Sequence, residues 1–210
     1  MGLFGPSPTR TDKGVEAFKK RRWKDAWRLL EDAAEDGENA RREYYLGLLY
    51  WRGLGVPRDT HIAVTHFSRA AELDHAAAMT AYGMALRAGV GAPKDPETAR
   101  QLFRLSAAAG DPDAMTQLAS MSDRADAQHW LVRAAEMGNA TAMLDLADLL
   151  MHDEPIEALA WLYASVTLTG NDGCRKRARD LAREMTAAEI DAAQKAGRMY
   201  AKDVRAKAQQ

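Results

Sequence analysis

The sequence predicts an all-α fold, an α-α superhelix (solenoid) of about five helix-turn-helix repeats closed by C-terminal capping helices. Three observations carry that prediction. The stretch from Gly47 to Asp59, GLLYWRGLGVPRD, returns 36 residues later from Gly83 to Asp95 as GMALRAGVGAPKD. A fixed period of this length marks stacked copies of one supersecondary unit. Alanine dominates the apolar residues and favours helices that approach closely. No alternating β-branched run reads as a strand.

Each unit reads as a helix A, a loop and a helix B. In the second unit helix A covers about residues 40–52 and helix B about 60–73. In the third the ranges are about 76–88 and 96–109. The loops supply their own reasons. Gly53 and Gly89 can end helix A in the left-handed conformation. Pro57 and Pro93 stiffen the crossing segment. Asp59 and Asp95 are placed to accept from the first free amides of helix B, with Pro96 at the first helical position. Gly47 and Gly83 fall mid-helix, where glycine costs about 1 kcal/mol relative to alanine. Direct packing of helix B against them is the best justification, with Ala63 and Ala99, Phe67 and Phe103, and Ala71 and Ala107 as the facing stripe.

The register continues on both sides. Gly14, Ala17, Trp23, Ala26, Leu30, Ala33, Ala34 and Gly37 form a first unit with a shorter loop. Residues 110–138 form a fourth unit that lacks about eight residues between its helices. Residues 142–170 form a fifth. Residues 172–184 then read as an amphipathic helix, and Thr186-Ala187-Ala188-Glu189 as a capping box opening another. The expected organisation is a tail at 1–13, the array at 14–170, capping helices at 171–204 and a tail at 205–210.

Charge is unevenly laid out. Residues 1–30 carry eight Lys/Arg against three Asp/Glu, residues 171–210 ten against six, and the middle eleven against twenty-one. Basic ends could meet nucleic acid, but no aromatic is interleaved with Arg175, Lys176, Arg177 and Arg179, so solvated helix faces are the favoured reading. A single cysteine, Cys174, permits no internal disulfide and points to a reducing compartment. The N-terminus shows no secretory pattern, Pro6 stands where a myristoylation signal wants Ser or Thr, and no run is long enough to span a bilayer. A cytoplasmic location and no membrane partner are expected.

The two central units resemble the Sel-1-like repeat family, relatives of the tetratricopeptide repeats. The second unit matches the family pattern from Leu46-Gly47 and Tyr50 through Gly53, Gly55-Val56, Asp59 and Ala63 to Ala70-Ala71. The third matches at Ala78, Gly83, Gly89, Gly91, Asp95, Ala99 and Gly110. The resemblance extends over about 14–200. It departs at Arg42, near the small alanine position. It also departs where Ala119 and Ala147 replace the packing glycine, and in the fourth unit's missing glycine-rich loop. The resemblance implies a right-handed α-solenoid of bacterial adaptor type that binds peptides or folded partners on a concave face lined by helix A. The disulfide-rich secreted branch of the family is excluded by the single cysteine.

Residue chemistry adds no competing signal. His61 and His66 are five apart and share no helical face, and His75, His129 and His152 complete no zinc pattern. Gly53-Leu54-Gly55 lacks the third glycine and the preceding strand of a dinucleotide loop. Cys174, beside Arg175, Lys176 and Arg177, would have a lowered thiol pKa only if exposed at a helix start. No catalytic residue, metal ligand or cofactor is expected. If helix A lines the groove, the partner-binding positions are Phe18 and Lys19 in the first unit, Tyr44, Leu48, Trp51 and Arg52 in the second, and Thr80, Met84 and Arg87 in the third. Aromatic and arginine side chains are the usual interface anchors. The alternative for Tyr44 and Trp51 is packing between units. The function expected is a protein–protein adaptor, not an enzyme, with an acidic or C-terminal peptide as ligand. The competing classes are a hydrolase-type helical enzyme and a nucleic-acid-associated scaffold using the basic ends.

Overall fold

The computed structural model describes residues 7–33, 37 and 39–209, so the N-terminal segment with Gly2 and Pro6, and Ala34 of the first unit, lie outside the described residues. The chain divides into two units at Gly110/Asp111. The first holds α1 (Arg10–Lys19), α2 (Trp23–Asp32), α3 (Ala40–Arg52), α4 (Thr60–Glu72), α5 (Ala76–Ala88) and α6 (Pro96–Ala108). The second holds α7 (Pro112–Ala119), α8 (Arg124–Glu136), α9 (Ala140–Leu150), α10 (Pro155–Thr169), α11 (Asp172–Ala182) and α12 (Ala187–Lys207). No strand occurs among the described residues. None of their helices is long and apolar enough to cross a membrane.

The central helices form where the sequence places them, because their ends are chemically specified. Gly53 and Gly89 take φ of 66° and 69° and close α3 and α5. The Asp59 carboxylate accepts from the amides of His61 and Ile62, and Asp95 from that of Thr98. The connecting loops are tied back to helix A: the Asp59 amide donates to the Tyr50 carbonyl at 3.1 Å, and the Asp95 amide to that of Leu86 at 2.9 Å. The outer boundaries differ from expectation. Helix α1 starts at Arg10, inside the segment expected to be a tail, because Thr9 and Asp12 form a capping box and Thr11 and Val15 are buried. Helix α12 runs to Lys207, since Val204 is buried, Arg205 donates to the Thr167 carbonyl and Lys207 pairs with Glu136.

Within each pair, one contact recurs. The eighth residue of helix B packs over a small residue of helix A. A Cβ added at Gly14 would lie 2.7 Å from Leu30, one at Gly47 2.5 Å from Phe67, and one at Gly83 2.7 Å from Phe103. In the fourth and fifth pairs the same register sets Ala119 with Leu131 and Ala147 with Leu162, all four buried. In these two pairs alanine on one side goes with leucine on the other, where the second and third pairs have glycine with phenylalanine. A second glycine contact joins successive pairs. Gly55 (φ 77°) lies against the backbone of Trp23, the first residue of α2, and Gly91 (φ 75°) against that of Thr60, the first residue of α4. A Cβ at Gly91 would come within 2.2 Å of the Thr60 carbonyl oxygen.

A buried polar network ties α2, α3 and α4 together. Glu43 is 4% exposed. His66 Nδ1 lies 2.7 Å from one of its carboxylate oxygens and Arg42 Nη2 2.5 Å from the other. The His66 ring stacks on Tyr50, whose hydroxyl accepts from Trp27 Nε1 at 3.1 Å and donates to Glu31 at 3.3 Å. Desolvation by burial pushes the Glu43 carboxyl up. The hydrogen bonds and charges of His66 and Arg42 outweigh it and hold the pKa below the ordinary 4.5. Arg42, which departs from the repeat pattern, is thus the second partner of this carboxylate after His66.

Two outcomes follow. Gly83→Ala gains helix propensity but drives Cβ into Phe103, so urea unfolding should show a net loss of about 1–3 kcal/mol. Most of that loss should disappear in a Phe103→Leu background, which reproduces the Ala/Leu pairing of the second unit. Glu43→Gln should cost about 1–3 kcal/mol at pH 7. Because the folded pKa is depressed, the wild-type advantage is present above pH 4.5 and is lost as pH falls through the lower folded value. Urea titrations at several pH values between 3 and 7 check this, and the variant's acid slope should be the shallower.

Candidate interaction surface

On α3, Tyr44, Leu48, Trp51 and Arg52 are spaced i, i+4, i+7 and i+8, so they share one face. That face lies away from Leu46 and Leu49, which join Val15, Ala17, Ala26 and Leu30 in the core of the first unit. Leu48 is half-buried and Arg52 is exposed in the last turn. Trp51 is half-buried with its ring tilted on Phe67 at 6.1 Å, so one side of the indole packs and the rest remains accessible. Tyr44 stacks on His75 with centroids 4.5 Å apart and planes 24° apart. His75 is the N-cap of α5, its Nδ1 accepting from the Ala78 amide at 3.3 Å, so this stack joins the α3 stripe to the start of α5.

On α5 the equivalent positions separate into two environments. Met84 is 45% exposed and Arg87 half-buried in the last turn. Thr80 is 4% exposed, and its hydroxyl lies 2.8 Å from that of Ser106 on α6. It sits in the packing between α5 and α6 and off the expected open stripe, because that hydroxyl finds its partner across the helix pair. In the first unit's α1, Lys19 is exposed, whereas Phe18 meets the edges of Trp23 and Tyr45 at 5.1 and 4.8 Å and packs on the core. The exposed part of the stripe is therefore Arg52 and Met84, with Leu48, Trp51 and Arg87 half-buried beside them. On α9 the corresponding Asp148 is in an ion pair with Arg177 of α11, so the capping helix reaches across that face.

The titratable groups singled out by type take structural places. Cys174 is fully buried, with its sulfur 3.3 Å from the Ser165 hydroxyl. His129 lies edge-on to Trp130, and His61 and His152 are exposed. No group of three or more His, Cys, Asp or Glu among the described residues could hold a metal ion. The basic C-terminal helices are interlaced with acids: Arg175 with Asp172, Arg177 with Asp148, Arg183 with Asp180 and Lys195 with Asp191. Sequence reasoning missed the Glu43–His66 pair, since the two residues lie 23 positions apart on different helices and no local pattern joins them.

The Sel1 repeat model matches residues 43–75, 76–111 and 112–139, the second, third and fourth pairs described above. The fold is similar to the crystal structure of a Sel1 repeat protein from Oxalobacter formigenes. The TM-score is 0.72 and the identity 22%, covering 92% of this chain and 83% of that one. It is also similar to the immunity protein Pa5087 from Pseudomonas aeruginosa, with a TM-score of 0.58 and 19% identity, covering 97% and 84% of the two chains. No curated protein matches the sequence. The pairwise helix packing, the glycine contacts and the three matched segments agree, and residues 43–139 form three Sel1 repeats.

Proposed function

We propose that this chain is an adaptor that holds a peptide or protein partner on the concave, A-helix face of its first unit, at the stripe made by α3 and α5. Sel1 repeats are typically protein-interaction scaffolds, and that general role is the starting point. The observation that carries the finer reading is the register of the exposed and half-buried anchors. Leu48 and Trp51 recur 36 positions later as Met84 and Arg87, giving an accessible apolar and cationic stripe with Arg52 at its end. Met84 at 45% exposure is a large apolar side chain that the fold itself does not use. Methionine adapts its shape to a partner, and arginine adds charge-assisted hydrogen bonds to carboxylates. The ligand chemistry this favours is an apolar peptide with an acidic side chain or a terminal carboxylate. The interlaced ion pairs of the basic C-terminal helices favour this reading over nucleic-acid binding, which needs cations left available for phosphates.

The test compares wild type with Arg52→Glu/Met84→Asp, two exposed positions whose replacement leaves the core intact. Both proteins, matched by circular dichroism, serve as bait in lysate of the source organism, and recovered partners are quantified by mass spectrometry. A partner held by wild type and depleted at least tenfold from the variant is the expected result. Equal recovery by both baits would move the site off this stripe.

A further inference from the structure

The second unit contains a cavity that the repeat pattern does not explain. It lies between α8, α10 and α12 and has a volume of about 540 Å³, within the usual range for ligand sites of roughly 300–1,000 Å³. Its wall is aromatic: Trp161, 5% exposed, stacks on Tyr200 with centroids 4.5 Å apart and planes 24° apart. The Tyr200 hydroxyl donates to the Glu157 carboxylate, with oxygens at 2.9 and 3.0 Å. Burial, together with the bond to Glu157 and its charge, pushes the phenol up to about 12, so it stays a neutral donor.

Around this wall stand three more carboxylates, Glu136, Glu154 and Asp203, and one ammonium, Lys207. Lys207 is engaged by Glu136 at 2.9 Å. Glu154 and Asp203 have no side-chain hydrogen bond or ion pair among the described residues. Glu154 even occupies the N-cap position of α10 without capping it. The cavity therefore combines a π-rich apolar surface with two exposed carboxylates, Glu154 and Asp203, that lie outside the Lys207–Glu136 pair. An anionic guest would be repelled, and a neutral apolar one would gain nothing from either carboxylate. A long aliphatic stem ending in a cation fits both properties, since its methylenes pack on the rings while its head meets carboxylates and the aromatic quadrupole.

We propose that this cavity receives a lysine or arginine side chain from a basic segment of a partner protein. The volume exceeds what one such side chain fills, which leaves room for flanking peptide and favours a protein segment over a free small cation. The site lies wholly within the second unit and stands or falls independently of the α3–α5 stripe.

The experiment uses the full chain and a fluorescein-labelled hexapeptide amide carrying two arginines and two lysines, with a matched peptide carrying four glutamates as control. Anisotropy should show binding of the basic peptide only. Its addition should shift the indole N–H cross-peak of Trp161 in a ¹H–¹⁵N spectrum. Glu154→Gln/Asp203→Asn should weaken binding at least tenfold with an unchanged circular dichroism spectrum. If that double variant fails to fold, Glu154→Gln alone carries the test, with a loss of at least threefold expected. The proposal is overturned by equal binding to wild type and variant, by binding that leaves Trp161 unmoved, or by no binding at 1 mM peptide. Spermidine binding as tightly as the peptide, with the same shift at Trp161, would assign the cavity to a free polyamine and overturn the protein-segment reading.

Discussion

The contact on which the rest depends is the seating of the eighth residue of each helix B over a small residue of helix A. It sets how closely the two helices of a pair approach, and therefore where every other side chain on them ends up. With Gly47 under Phe67 and Gly83 under Phe103, the aromatic ring fills space that a Cβ would otherwise take. Burying a phenylalanine side chain is worth about 1.5–3 kcal/mol, more than the roughly 1 kcal/mol that a mid-helix glycine costs. The pairs Gly14/Leu30, Ala119/Leu131 and Ala147/Leu162 show that neither position demands one residue type, provided the helix A residue is small.

Close approach within pairs has to be matched by close approach between them. Gly55 and Gly91 do this in the first unit by bringing their loops onto the backbone of the preceding helix B. The second unit has no such loop: α7 and α8 are joined by the short segment 120–123, and capping helices α11 and α12 pack on α10 instead. A Cβ added at Gly197 of α12 would lie 2.7 Å from the Ala160 carbonyl oxygen and 2.8 Å from Tyr163 Cβ of α10, so the terminal helix uses the same small-residue device to close the end. A terminal face of an array must be hidden from water, and here a long helix hides it.

Both candidate binding regions are by-products of this geometry. The α3–α5 stripe exists because the opposite helix faces are committed to packing, leaving Leu48, Arg52 and Met84 outward. The cavity of the second unit exists because α12 approaches α10 closely at Gly197 and ends beside α8 through Lys207 and Glu136. The buried Glu43–His66–Arg42 cluster belongs to neither region. It joins α3 to α4 through the Glu43–His66 contact, with Arg42 bonded to the same carboxylate from within α3.

The sequence by itself determined the all-α class, the helix pairs from Ala40 to Ala108 and the caps at Asp59, Asp95 and Thr186. These are set by local chemistry repeated at a fixed period, and a period is visible in one dimension. Helical spacing puts Tyr44, Leu48, Trp51 and Arg52 on one face of α3, and the family resemblance marked that face, with its counterparts on α1 and α5, as the expected groove. Which of those side chains stay open was decided by tertiary structure: Thr80 is withdrawn by Ser106, Phe18 by Trp23 and Tyr45, and half of Trp51 by Phe67. The same holds for the Glu43–His66 pair and for the meeting of Trp161, Tyr200, Glu154 and Asp203. Their partners lie tens of residues apart without a shared period, and only the packing distance between helices brings them into one another's reach.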